Sequence, residues 1–419
     1  MIQEFSVQNF LSFKGKQTIS FLATSDKSYL DELTVEVKPG VRLLRMAMIY
    51  GSNASGKSNL LQAIQALWSM LFSPQKEEHK NIGMYQPFAL CNGEPTRFEA
   101  TFWANGRRFR YELEYNSNDV LYEKMYYSTD SDVLSLMYER RKGEIVKFGG
   151  TLGIKAKERD KLLANTLDNH TLLSTFNKIN VNVAIMKELY DWIKTKVHEL
   201  GVFNNGRKIA EQAENDLDLK RLIIELLNAA DFNISDFQLI PIQTFDEANT
   251  EMWNNETLNE STKNRQFKPT KQILFTHQTG SATFSISWGM ESAGTRVYFR
   301  LARLLFELNH NDCIFMEDEL DGSLHYDLLI HYLQTYLQVP SHSQLLFTTH
   351  NQMLLDEDWM IRRDMVWFTE KDKESASTSL YSASEMGLHK NVSLLNAYRI
   401  GKLGAKPLLG STLLSSEKL

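Results

Sequence analysis

The stretch Gly51-x-x-x-x-Gly56-Lys57-Ser58 constrains this chain more than any other. Two glycines let the backbone curl until successive N–H groups converge, a lysine adds a cation and a serine adds a hydroxyl. Such a loop cradles phosphate oxygens, with the lysine on the β- and γ-phosphates and the serine on Mg²⁺. Its flanks agree. Met46 to Tyr50 is an apolar run suited to a buried strand, and Leu60, Leu61, Ile64, Leu67, Trp68 and Leu71 recur at helical spacing. The helix so predicted aims the positive end of its dipole at the anion. Gly51, Ser52, Asn53, Ala54, Ser55, Gly56, Lys57, Ser58 and Asn59 are therefore the candidate nucleotide-binding residues.

Three further pieces suit a nucleotide hydrolase. Cys313 to Met316 reads as a strand that ends in acids. An aspartate there can hold Mg²⁺, and a neighbouring glutamate can orient or deprotonate the attacking water. Asp318 is assigned to the metal and Glu319 to the water, with Glu317-Asp318 as the alternative register. Ser343 to Asn351 reads as a second strand delivering His350, which can hydrogen-bond a γ-phosphate and sense its loss. Ser292-Ala293-Gly294 opens a helix whose apolar face runs through Val297, Phe299, Leu301, Leu304 and Leu305. Serine caps a helix and glycine lets an N–H approach an anion, so this is either a second anion site or an ordinary N-cap.

Elsewhere the pattern is that of an α/β chain. Strands are expected on both sides of a turn at Lys14-Gly15, and a hairpin over Thr96 to Tyr115 with its turn at Asn105-Gly106. Residues 156 to 230 read as helical, with Met186, Leu189, Trp192, Ile193, Val197 and Leu200 on one face. Phe245 to Lys271 is polar and asparagine-rich and reads as a long mobile loop. The organisation expected is an N-terminal lobe over 1–155, a mainly helical insertion over 156–271 and a C-terminal lobe over 272–419.

A net charge of −6 argues against a surface that coats nucleic acid by charge alone. The basic run from Arg140 to Lys161 is interrupted by acids and reads as a solvated face. Cys91 and Cys313 are the two cysteines, in no metal-type spacing, which fits a reducing, cytoplasmic setting. No signal peptide or membrane span is expected. Gly149, Gly150 and Gly153 follow no dinucleotide spacing, and no nucleophile elbow or zinc cluster is present.

Taken in order, Gly51 to Ser58, Glu291 to Thr295, Asp318-Glu319, Ser323-Leu324-His325 and His350 resemble the ABC-type ATPase heads of SMC and recombination proteins. More closely, the chain resembles compact prokaryotic ATPases of the AAA-family, RloA-like or OLD-type kind without a fused nuclease. The segments "VQNFLSFK", "IRRDMVWFTEKD" and "AYRIGKLGAKP" extend the likeness over nearly the full chain, weakest from about 200 to 270. The resemblance implies an α/β, ABC-type P-loop ATPase head: a mixed central sheet with flanking helices, an antiparallel β subdomain and a helical insertion. It implies ATP and Mg²⁺ as ligands, and a head-to-tail homodimer in which Ser292 and Gly294 serve the partner's nucleotide. It also implies a separate nuclease or toxin effector in antiphage defence; a chromosome-maintenance head that grips DNA directly is the alternative. The stretch after His350 is short for a nuclease domain. The signature Glu-Ser-Ala-Gly-Thr departs from the transporter-like Leu-Ser-Gly-Gly-Gln. Gln86 is the candidate for the glutamine linking metal to lobe motion, and reads equally as a surface glutamine.

Overall fold

Alternating apolar positions near the N-terminus are satisfied in a seven-stranded antiparallel sheet. The computed structural model describes residues 1–72, 81–129, 131, 133–245, 267–389 and 391–407. Strands β1 (Ile2–Gln8) and β2 (Gln17–Ser20) pair as expected, but the chain turns at Leu11-Ser12, closed by the Phe10–Phe13 bridge, rather than at Lys14-Gly15. A small hairpin of β3 (Thr34–Lys38) and β4 (Val41–Leu44) leads into β5 (Met46–Gly51), every residue of which is buried. After the helix Lys57–Phe72 come β6 (Thr96–Ala104), β7 (Arg107–Tyr115), β8 (Val120–Ser128), β9 (Leu134–Arg141) and the short β10 (Lys147–Phe148). The sheet order is β10-β9-β8-β7-β6-β1-β2. Asn105 and Gly106 turn the β6–β7 hairpin with φ of 49° and 75°, the pair of positive values that a two-residue turn between twisted strands requires.

Contacts divide the chain into two units. The first comprises Met1–Gly201, Leu308–Asp321 and Gln334–Leu419. Besides the antiparallel sheet it holds the helices Ala156–Asn165, Leu172–Phe176 and Ala184–Lys196. The second, Val202–Glu307 with Gly322–Leu333, is built on β11 (Ile234–Phe245), β12 (Phe267–Thr279) and β13 (Ala282–Ser287). Phe237, Phe275, Trp288 and Phe299 pack ring on ring there.

The first unit's other large sheet is parallel. β14 (Ile314–Glu317), β15 (Gln344–Thr348), β5 and β16 (Val366–Lys371) run the same way, and β17 (Thr378–Ser382) closes the edge antiparallel. Mixed central sheet, flanking helices, antiparallel β portion and added helices are those expected from the sequence.

Three local expectations need correction. Val197 and Leu200 continue the apolar spacing of Ala184–Lys196 but lie beyond it, since Val197 is extended and bridges Ile314. Phe245 and Phe267–Lys271, read as the ends of a polar loop, belong to strands, because the two segments pair with each other; residues 246–266 lie outside the described residues. Arg140, read with a solvated face, is buried beside Glu123.

Candidate nucleotide site

The carboxyl ends of three parallel strands set the site. Glu317 pairs in register with Phe347, and Thr348 with Ile49, so the acids after β14, the histidine after β15 and the loop after β5 leave from one sheet edge. That edge is where α/β proteins bind ligands.

The loop is shaped by what lies behind it. A Cβ on Gly51 would fall 2.6 Å from the Thr369 carbonyl, and one on Gly56, whose φ is 110°, would fall 2.5 Å from Thr378 Oγ1. Ser55 Oγ shares a hydrogen bond of 2.7 Å with Thr369 Oγ1. Thr378 Oγ1 donates to the Ser55 carbonyl at 2.8 Å and is also bonded to Ser12 Oγ. Asn59 donates its amide to Ser12 Oγ at 2.7 Å. These hydroxyls brace the loop, and sequence reasoning missed Ser12, Thr369 and Thr378 because they are polar residues without periodicity that the fold brings in from elsewhere along the chain.

The lysine is buried at the loop's centre. Lys57 Nζ donates to the carbonyls of Gly51 at 3.0 Å and Ser52 at 3.2 Å. Burial pushes its pKa below the ordinary lysine value, and Asp318, Glu319 and Asp321 act in the opposite direction. The ammonium and the acids thus share one electrostatic environment. Ser58 is half-buried in the first helical turn, and Asn53 and Ala54 are exposed. Tyr50, Gly51, Ser52, Asn53, Thr349, His350 and Gln352 contribute to the wall of a cleft of 520 Å³. His350 itself is exposed.

The acids sit in a turn tied to β15. Thr348 Oγ1 donates to Asp318 Oδ1 at 2.6 Å and accepts from the Glu319 N–H at 2.8 Å. Glu319 has φ of 52°, a left-handed conformation that costs a non-glycine residue about 1–3 kcal/mol and collects at functional sites. Asp321, which sequence reasoning also passed over, has a buried Oδ1 with no hydrogen-bond partner among the described residues. Gln86 is exposed, and its carbonyl accepts from the N–H of Leu11, next to Ser12.

Ser292 and Gly294 belong to the second unit. Ser292 Oγ accepts from the Thr295 N–H at 3.0 Å and pairs with its hydroxyl at 2.7 Å, an N-cap of the helix Ala293–His310. Glu291 is held by His277 at 2.6 Å. The Gly294 position faces the Ser323 carbonyl, so the signature residues and Ser323-Leu324-His325 meet within that unit.

A protein-family model described as "AAA domain, putative AbiEii toxin, Type IV TA system" matches residues 46–356, from the start of β5 to just past His350. The chain belongs to this AAA-domain family. Among solved structures this AAA domain is similar to the SMC head domain from Thermotoga maritima, 13% identical, covering 91% of this chain and 98% of that one with a TM-score of 0.38. It is also similar to an SmcHead bound to the C-winged helix domain of ScpA, 12% identical, covering 95% and 99%, with a TM-score of 0.42. No curated protein matches. The family carries the P-loop ATPase architecture, and the chain has the loop that defines it. Among the described residues no group of three or more His, Cys, Asp or Glu could hold a metal. A phosphate-bound Mg²⁺ asks for less, one hydroxyl and one carboxylate beside the phosphates, and Ser58 and Asp318 are hard oxygen donors of that kind. No helix of the described residues is long and apolar enough to cross a membrane.

Proposed function

We propose that this AAA domain hydrolyses Mg-ATP as an ABC-type, dimeric molecular switch. The observation that carries the reading is the common edge of β14, β15 and β5, where the buried Lys57 ammonium feels Asp318 and Glu319. In this reading Lys57 exchanges the carbonyls of Gly51 and Ser52 for β- and γ-phosphate oxygens, and the N–H groups of Ser52 to Asn59 surround the same charge. Ser58 and Asp318 hold Mg²⁺, with Gln86 proposed to report on it. The ion, when bound, neutralises charge on the phosphates. Glu319 accepts the proton of a water whose oxygen bonds to the γ-phosphorus as the bond to the β–γ bridging oxygen breaks, and ADP leaves with that oxygen. His350 contacts the γ-phosphate.

Ser292 and Gly294 are assigned to the nucleotide of a partner copy, in a head-to-tail homodimer. The switch is read out by a separate nuclease or toxin effector in antiphage defence, docking on residues 156–271, in the cytoplasm. For direct gripping of DNA the exposed face of the seven-stranded sheet offers poor support, because several of its cations are paired with acids: Lys16 with Glu99, Arg97 with Glu114 and Arg110 with Glu112.

Separate substitutions divide binding from chemistry. Lys57→Ala is expected to abolish tight ATP binding in calorimetry, and Asp318→Asn to weaken Mg-ATP binding. Glu319→Gln is expected to bind ATP and to slow phosphate release by about 10²–10⁴-fold. Parental ATP binding by Lys57→Ala contradicts the site. A dead Glu317→Gln beside an active Glu319→Gln moves the catalytic pair to Glu317-Asp318.

A further inference from the structure

Thr348, the last residue of β15, is fully buried and engages three consecutive residues of the acidic turn. Its hydroxyl donates to Asp318 Oδ1 at 2.6 Å while accepting from the Glu319 N–H at 2.8 Å, and its carbonyl accepts from the Leu320 N–H at 3.1 Å. A hydroxyl is the side-chain group of this size that can donate and accept at once; valine has the same shape and can do neither. Both bonds act where precision matters. One is charge-assisted and fixes the rotation of the Asp318 carboxylate. The other supports the left-handed backbone of Glu319, a conformation that persists where its surroundings over-determine it.

We infer that Thr348 is a positioning residue: its hydroxyl sets Asp318 and Glu319 in fixed relation to the strand that carries His350. The inference rests on the ATPase reading above. Thr348 touches neither nucleotide nor water in this scheme and acts through the two carboxylates. Because His350 lies two residues further on, this hydroxyl joins the β14–β15 ladder in linking the strand that carries the histidine to the acids.

The test compares Thr348→Val with Thr348→Ser, using calorimetry for ATP affinity, phosphate release for turnover, and a Mg²⁺ titration. Thr348→Val is expected to bind ATP within a few-fold of the parent, to turn over about tenfold or more slowly, the size of one lost hydrogen bond to a charged group, and to need more Mg²⁺ for half-maximal rate. Thr348→Ser is expected to retain parental turnover. Should Thr348→Val not fold, Thr348→Ala against Thr348→Ser makes the same comparison, since these differ by the hydroxyl alone. Parental turnover and Mg²⁺ dependence in the hydroxyl-free variant overturn the inference, as does a Thr348→Ser protein equally slow. If Lys57→Ala also leaves ATP binding unchanged, the site reading falls and takes this inference with it. If Lys57→Ala behaves as expected while the threonine variants are silent, this inference alone is wrong.

Discussion

At the scale of single residues, the phosphate loop depends on two absences of a side chain. Gly56 has φ of 110° and Thr378 Oγ1 stands where a Cβ would go, so Gly56→Ala is strained twice. A backbone of that kind costs about 1–3 kcal/mol in a non-glycine residue. Gly83 has nothing within 4 Å of its Cβ position and no positive φ. Gly56→Ala is therefore expected to lower both the melting temperature and ATP affinity, and Gly83→Ala neither. A Gly56→Ala protein that melts and binds like the parent contradicts the account of the loop. Gly51, Gly56, Lys57 and the strand before them are legible in the sequence because glycine spacing and apolar runs are local signals. Ser12, Thr348, Thr369 and Thr378 are not, because a hydroxyl shows its use only when the fold brings its partner across the chain.

Among the elements, a buried carboxylate ties the seven-stranded sheet to the short helix Leu172–Phe176, whose cap bonds the phosphate-loop helix, alongside the direct contact of Trp68 with Phe102. Glu123 on β8 accepts from the hydroxyls of Tyr111 at 3.0 Å and Tyr138 at 2.9 Å, and from the N–H of Leu172 at the start of the helix Leu172–Phe176. Arg140 lies beside it and donates to the carbonyl of His170 at 2.6 Å, while Thr171 donates to that of Met70 in the helix Lys57–Phe72. Burial raises the Glu123 pKa above its ordinary 4.5, against the opposing pull of Arg140 and the hydrogen bonds. The folded state then holds this proton more tightly than the unfolded chain, so its contribution to stability falls as pH rises from about 4.5 through the folded pKa. Denaturant titrations at stepped pH should show the parent losing stability relative to Glu123→Gln across that window; a relative gain contradicts the assignment. The β6–β7 hairpin was readable because strict alternation and Asn-Gly coincide. Phe267–Lys271 was not, since its polar residues and Pro269 resemble a loop. Proline is tolerated there because β13 pairs with β12 only from Leu274 onward, leaving that side of Pro269 unpaired among the described residues.

For the whole molecule, the phosphate loop and the acids lie in one unit and the signature residues in the other. If ATP is sandwiched between copies, it favours the closed dimer by its difference in affinity for closed and open forms. Taking that equilibrium from 1:99 to 99:1 needs about 5.5 kcal/mol, which two γ-phosphates bridging an interface would have to supply. The most direct measurement is hydrolysis by mixtures of two inactive variants, Lys57→Ala and Gly294→Asp. Gly294 suits the purpose: a Cβ there meets the Ser323 carbonyl at 3.4 Å, an ordinary contact, so the added carboxylate opposes a phosphate without a clash of its first atom. Each variant alone is expected to be inactive. Mixed, they are expected to recover phosphate release up to one working site per mixed pair, because one subunit supplies an intact loop and the other an intact signature. No recovery, with subunit exchange demonstrated by labelled protein, would contradict the shared site.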